Sequence, residues 1–192
     1  MIKKFNNYDE TKAYGDIQML PKGGYEMLVM GVQVESNSNG QYLKIACDVA
    51  YGPYLGFFRT DYDNQQTEDK KWHCNYLLNI PNDDGSEKDG WTKRRFKTVM
   101  EAFEDSNSGY HWNWDEQTLK GKKIGGLFNM REYEKNGKVR QASNLAQLVP
   151  IKSIKENTFK LPEDKLLNKK PSADGFVNAG TESGAEFNPF NS

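Results

Sequence analysis

Aromatic and basic residues lie close together at several points in the first half of the chain. Tyr42 and Lys44 are two residues apart in QYLKIACDVA, so they share one face if that segment is a strand. The segment GFFRTDY adds Phe57, Phe58 and Arg59. An aromatic ring can stack on a nucleic-acid base, and a neighbouring cation can neutralise a phosphate. These residue types therefore predict a surface that binds single-stranded nucleic acid.

Two later segments extend the candidate surface. Trp72 directly follows two lysines, and Arg131, Lys138 and Arg140 surround the turn signal KNG. Each aromatic also has a second interpretation, because a small core must be filled by large side chains. The basic hairpin also has a second interpretation. Acidic residues occur in the same stretch, so it could simply be a charged hairpin exposed to solvent.

The elements that must position these residues are mostly strands. GYEMLVMGVQVES (Gly24–Ser36) and QYLKIACDVA (Gln41–Ala50) are joined by the polar cluster SNSNG, which predicts a hairpin. GFFRTDY (Gly56–Tyr62) is predicted as a third strand. A second hairpin is predicted from Lys122–Glu134 and Lys138–Ile151, because the Asn-Gly pair between them accepts positive φ.

One helix is predicted between the two sets of strands, in TKRRFKTVMEAFEDS. Phe96, Val99, Met100 and Phe103 follow the i, i+3, i+4, i+7 spacing of a stripe that faces a core, and Thr92 is the predicted N-cap. The order β-β-β-α-β-β matches the five-stranded OB barrel, so a mainly β, OB-like barrel is predicted. Another small β-barrel or a mixed α+β sheet are the alternatives.

Composition suggests three regions of the 192 residues. Residues 1–23 are an N-terminal extension, residues 24–162 an OB-like nucleic-acid-binding domain, and residues 163–192 an acidic C-terminal tail. The tail is predicted to be disordered because it has too little apolar content to fold alone. From Pro171 onward it contains no Lys or Arg, which leaves the first 170 residues slightly basic although the net charge is −1.

Several functional classes are disfavoured by the sequence. No apolar run is long enough to span a bilayer, and the lysine-containing start lacks the apolar segment of a secretory signal. Two isolated cysteines argue against a disulfide framework or a cysteine-based zinc site, so a reducing cytoplasm is expected. No nucleotide-binding or zinc-protease motif occurs, and neither an enzyme activity nor a cofactor or metal is predicted.

The segments LPKGGYEMLVMGVQV, YLKIACDVAYGPYLGFF and WNWDEQTLKGKKIGGLFNMREYEKNGKVR resemble small phage and mobile-element proteins of the single-stranded DNA-binding type. The resemblance covers roughly residues 14–155, and its most specific part is the second hairpin. It implies an OB-like fold, a role in phage DNA replication or recombination, and a location in the cytoplasm of a bacterial host cell. It implies no particular binding residues.

The final residues resemble the tip of bacterial single-stranded DNA-binding proteins, which is acidic and ends in Pro-Phe. Here the matching residues are Glu186, Phe187, Pro189 and Phe190, but Asn191 and Ser192 follow them, and Asn188 stands where bacterial tips are rich in Asp. The resemblance implies that the tail recruits replication or recombination proteins.

These observations predict a non-enzymatic protein that protects single-stranded DNA and recruits partners. Two alternatives stay open. An accessory module on the same fold would hold a replication or recombination partner without DNA affinity of its own. A metal-dependent nuclease would draw on the acidic residues between Asp83 and Asp89. The sequence leaves the oligomeric state open, a homo-oligomer included.

Removal of residues 171–192 tests the assigned role of the tail. We expect DNA affinity to stay the same or rise, since an acidic segment competes with DNA for basic residues, while recruitment of partners is lost. Oligonucleotide titration and pull-down of replication proteins measure the two effects. A truncated chain with weaker DNA affinity would contradict the assignment.

Overall fold

The computed structural model describes residue 6 and residues 19–167. The described strands and helices follow one another in this order: β1 Gly23–Asn37, β2 Gly40–Val49, α1 Phe57–Asn64, β3 Asn75–Asn79, α2 Glu87–Ser106, a short 3-10 turn Glu116–Leu119, β4 Lys123–Lys135, β5 Lys138–Val149 and α3 Ile151–Lys155. Both predicted hairpins are confirmed, with strand ends within two residues of those expected. Within the described part of the chain, no helix has the length and apolarity needed to traverse a bilayer.

The five strands form one antiparallel sheet in the order β3-β2-β1-β4-β5. This is the mainly β fold that the sequence predicts. The two edge strands, β3 and β5, also contact each other, which shows that the sheet is strongly curved. The residues on the inner side of the sheet are apolar and include the fully buried Met27, Ile45, Tyr76 and Phe128.

Helix α2 closes the core. The predicted stripe of Phe96, Val99, Met100 and Phe103 is buried, as the helical spacing required. The helix begins earlier than predicted, at Glu87, and the Ser86 side chain accepts a hydrogen bond from the backbone N–H of Asp89. Thr92 is therefore inside the helix, where its hydroxyl donates to the carbonyl of Lys88, and its prediction as the N-cap is wrong.

The predicted third strand is helix α1. Gly56 has a φ of 68° before the helix, a left-handed conformation that breaks any strand there. The buried Asp48 side chain accepts hydrogen bonds from the backbone N–H groups of Phe58 and Arg59, which fixes the first turn of the helix. The third strand of the sheet is instead NYLLN (Asn75–Asn79), which lies between the predicted third strand and the predicted helix.

Residues on both sides of the predicted domain, 24–162, also pack or pair with it. Leu20, in the predicted N-terminal extension, is fully buried in the core. Lys165, in the predicted tail, pairs with β4 through backbone hydrogen bonds to Met130 and Glu132, each 2.8 Å long. This pairing uses the part of β4 that extends beyond β1, whose first residue lies opposite Phe128.

Asp48→Ala tests the capping of α1. We expect the free energy of unfolding to fall by about 1–3 kcal/mol, because buried N–H groups lose their acceptor. Chemical denaturation measures the change. Asp63→Ala is the matched control, since it removes an exposed carboxylate that pairs with Arg59 on the same helix and should cost about 0.3–0.5 kcal/mol. Equal losses in the two variants would show that Asp48 has no special role.

Candidate nucleic-acid interface

Tyr42 and Lys44 lie on the outer face of β2, as predicted, but both bind an acidic residue. Tyr42 lies directly opposite Glu35 of β1. Its hydroxyl donates to Glu35 Oε2 at 2.6 Å, and Lys44 Nζ donates to Glu35 Oε1 at 3.1 Å. Burial, followed by the hydrogen bond to Glu35 and the negative charge of Glu35, together raise the pKa of Tyr42 to about 12. The charge of Lys44 is therefore already compensated.

The residues predicted on the third strand are on helix α1. Phe58 is 4% exposed, and its ring stacks on Phe128 at a centroid distance of 5.9 Å. The prediction that Phe58 is a base-stacking ring is therefore wrong, because both its faces lie in the core. Phe57 is half-buried and meets Phe58 edge to face, and Arg59 pairs with Asp63 at 3.0 Å on the helix surface.

Trp72 is also a core residue. It is 4% exposed, and its indole Nε1 donates to the carbonyl groups of Cys47 and Cys74 at 3.1 Å each. The ring thus stabilises the end of the β2–β3 pairing, and its prediction as a stacking platform is wrong. The predicted surface on β2 and its neighbours consequently offers few exposed rings and little unbalanced positive charge.

The second hairpin, β4–β5, carries the remaining predicted residues, and it places their side chains on one exposed side. Arg131, Lys138 and Arg140 are all exposed. The register pairs Arg131 with Ala142, Tyr133 with Arg140, and Lys135 with Lys138. Directly opposite residues of antiparallel strands point to the same side, as do residues two apart on one strand. We define the basic face as these five residues: Arg131, Tyr133, Lys135, Lys138 and Arg140.

The acidic residues of the hairpin point to the opposite side. Glu132 lies across from Gln141, and Glu134 lies across from Val139. The carboxylate of Glu132 accepts hydrogen bonds from the Gln141 side chain and from the backbone N–H of Leu167. Between residues 19 and 167, no carboxylate forms an ion pair with a cation of the basic face. The hairpin therefore carries unbalanced positive charge on one side.

Lys165 extends this charge, although it was not among the predicted residues. Its parallel pairing with Arg131 puts both side chains on the same side of the sheet. Burial lowers the pKa of the Lys165 ammonium group, and the positive charges of Arg131 and Arg95 lower it further. No local pattern identifies Lys165, because its position depends on a strand edge that lies more than 30 residues earlier in the chain.

A cleft adjoins this region between α2, β3 and β5. Its volume is about 330 Å³, and its lining includes Tyr76, Arg95, Gln147 and Pro162. Arg95 Nη2 donates to the Tyr76 hydroxyl at 2.8 Å, and the guanidinium also lies over the Tyr76 ring. Arg95 was not predicted, since nothing in the sequence separates it from the neighbouring basic residues of the helix.

The acidic residues between Asp83 and Asp89 serve the start of α2. Asp89 accepts hydrogen bonds from the backbone N–H groups of Asn82 and Asp83, and Asp84 accepts one from Ser86. Lys93 forms ion pairs with Asp83 and Asp89. Residues 19–167 contain no group of three or more potential ligands arranged to hold a metal ion. The nuclease alternative gains no support from this arrangement.

Comparisons with known proteins add no relative. No protein-family model matches the chain, and a search of curated proteins found no significant match. The tail residues Glu186, Phe187, Pro189 and Phe190 lie outside the described residues. The resemblance of the tail and of the body to single-stranded DNA-binding proteins remains a prediction.

Glu35→Gln tests the link between the predicted pair on β2 and its acidic neighbour. We expect the pKa of Tyr42 to fall from about 12 but to stay above its ordinary value of 10, because the charge is lost while burial remains. An NMR titration of the Tyr42 Cζ signal measures this shift. Glu132→Gln, which neutralises an acid on another hairpin, should leave the signal unchanged. An unaltered midpoint in Glu35→Gln would show that Glu35 does not act on Tyr42.

Proposed function

We propose that this chain is a non-enzymatic protein that binds single-stranded DNA through the basic face of the β4–β5 hairpin. The observation that carries the proposal is the separation of charge on that hairpin. Four cations share one side with a tyrosine, and both neighbouring glutamates point away. Cations on an exposed strand attract phosphates by releasing the counterions that surround a nucleic acid. The position of Lys165 and Arg95 nearby supports an anionic ligand.

We further propose that the sheet is an OB-like barrel. Three features support this: the strand order β3-β2-β1-β4-β5, the contact between β3 and β5, and the position of α2 between β3 and β4 along the chain. In OB folds, the loop between the last two strands takes part in binding oligonucleotides. The basic hairpin corresponds to that loop.

The biological setting follows the sequence resemblance and is part of the proposal. The protein would protect single-stranded DNA during phage or mobile-element replication or recombination in a bacterial cell. Residues beyond 170 would recruit a partner protein. The oligomeric state is left open.

A second candidate is an accessory module that holds a replication or recombination protein and has no DNA affinity. The burial of Phe58 and Trp72 favours it, because two predicted base-stacking rings are no longer accessible. The basic face has no evident use in such a module. DNA titration separates the two candidates directly.

The first experiment is a titration of fluorescent oligo-dT and of a duplex of equal length, at low and high salt. We expect binding of oligo-dT at micromolar protein or below, tighter than binding of the duplex, and strongly weakened by salt. Absence of binding at micromolar protein, or a preference for the duplex, would reject the proposed function and leave the accessory module.

The triple variant Arg131→Ala, Lys138→Ala, Arg140→Ala locates the interface. Since each phosphate contact on a single strand contributes about 0.7 to the slope of log K against log salt, we expect the slope to decrease by about 2. The control variant Lys88→Ala, Lys97→Ala, Lys120→Ala removes the same charge from exposed positions that are not part of the basic face. Equal effects of the two variants would indicate that net charge, and not the basic face, determines the affinity.

A further inference from the structure

Tyr133 lies in the middle of the basic face. Arg131 and Lys135 are two residues away on either side of it along β4, and Arg140 is its direct partner on β5. The side chain is half-buried. Among the residues that the structure describes, no other aromatic ring stacks on Tyr133 and no cation lies over its ring. A π-face next to several cations is therefore available to a ligand.

The other aromatic candidates do not combine these features. Tyr42 is hydrogen bonded to Glu35, and Phe58 and Trp72 are buried. Trp91 on α2 is 51% exposed, but the Arg94 guanidinium already lies over its ring at 5.1 Å. Within residues 19–167, Tyr133 is the ring that shares a strand face with unpaired cations.

The spacing of these side chains suits a single strand of nucleic acid. Residues two apart on a β-strand are separated by about 7 Å, so Arg131 and Lys135 lie about 14 Å apart with Tyr133 midway, and each can reach a phosphate on its own side of the ring. A base between those phosphates can then turn toward Tyr133. Any base can stack in this way, because every base has a π-face.

We propose that Tyr133 forms a base-stacking subsite for an unpaired nucleobase and gives the hairpin its preference for single strands over duplex. In a duplex, the bases are already stacked and paired, so the hairpin contacts phosphates alone. The cations then contribute to the binding of both forms, whereas Tyr133 contributes to the binding of single strands only. This inference rests on the proposed function of the basic face.

The test compares Tyr133→Ala and Tyr133→Phe with the unaltered protein on three probes: oligo-dT, the same length of abasic deoxyribose-phosphate strand, and a duplex. Loss of one stacked base corresponds to about a 5- to 150-fold loss of affinity. We expect a loss in this range for Tyr133→Ala on oligo-dT. The abasic strand and the duplex should bind this variant as they bind the unaltered protein.

Two further comparisons distinguish stacking from other roles. Tyr133→Phe keeps the ring, so its affinity for oligo-dT should stay within about twofold of the unaltered protein. The salt slope of Tyr133→Ala should be unchanged, because a neutral ring releases no counterions. Tyr51→Ala removes an exposed ring that lies outside the basic face and should leave every affinity unchanged.

Failure of this inference can be told apart from failure of the proposed function. If the unaltered protein binds oligo-dT and Tyr133→Ala binds it equally well, the subsite is rejected while the function stands. If Tyr133→Ala weakens all three probes equally, Tyr133 maintains the hairpin and does not stack on bases, which also rejects the subsite. If the unaltered protein binds no probe, the function is rejected and the subsite with it.

Discussion

The pairing register of β4 and β5 is the constraint on which the electrostatics of this protein depend. Basic and acidic residues alternate along Arg131–Lys135, so only a fixed register collects the basic ones of both strands on one side. The two-residue turn provides that register: Asn136 and Gly137 have φ values of 55° and 67°, the left-handed pair that joins strands tightly. A slip of one residue would bring Lys138 and Arg140 to the side of the glutamates, and the unbalanced charge would disappear.

The core requires large side chains, which explains why several of the predicted base-stacking rings are buried. Only 36% of the residues are hydrophobic while 12% are aromatic, and several rings are buried together with the aliphatic side chains of the interior. Phe58 stacks on Phe128, and Tyr25 meets Phe128 edge to face at 5.6 Å. Rings that contribute to the core in this way are not accessible to a ligand. The β4–β5 hairpin extends beyond β1, so only part of it faces the core. The side chains on the rest of the hairpin are not needed for core packing and can serve a surface function.

Local signals predicted much of the fold, and long-range contacts account for what was missed. Turn residues and two-residue alternation identified both hairpins, and helical spacing identified the buried stripe of α2. Helix α1 was missed because its first turn depends on Asp48, ten residues before Phe58. The edge strand Asn75–Asn79 has only five residues, and its pairing with β2 is what defines it. The same distinction applies to the site: the turn signal KNG identified Arg131, Lys138 and Arg140, whereas Lys165 depends on a distant strand edge. The contact of Glu35 with Tyr42 and Lys44 could have been predicted from the register of the first hairpin, but that register was not used to pair side chains across the turn.

The separation of charge also bears on which form of nucleic acid the proposed interface would accept. A two-stranded β-ribbon fits the major groove of a duplex, but there phosphates approach it from both sides. Glu132 and Glu134 would then face phosphates at short range, and like charges repel. A single strand can cross the basic face alone and leave the acidic side in water, where salt screens it beyond about 8–10 Å. The glutamates thus oppose insertion into a groove while leaving contact with a single strand unaffected. This repulsion is independent of base stacking, and both effects support the proposed preference of the β4–β5 hairpin for single-stranded DNA.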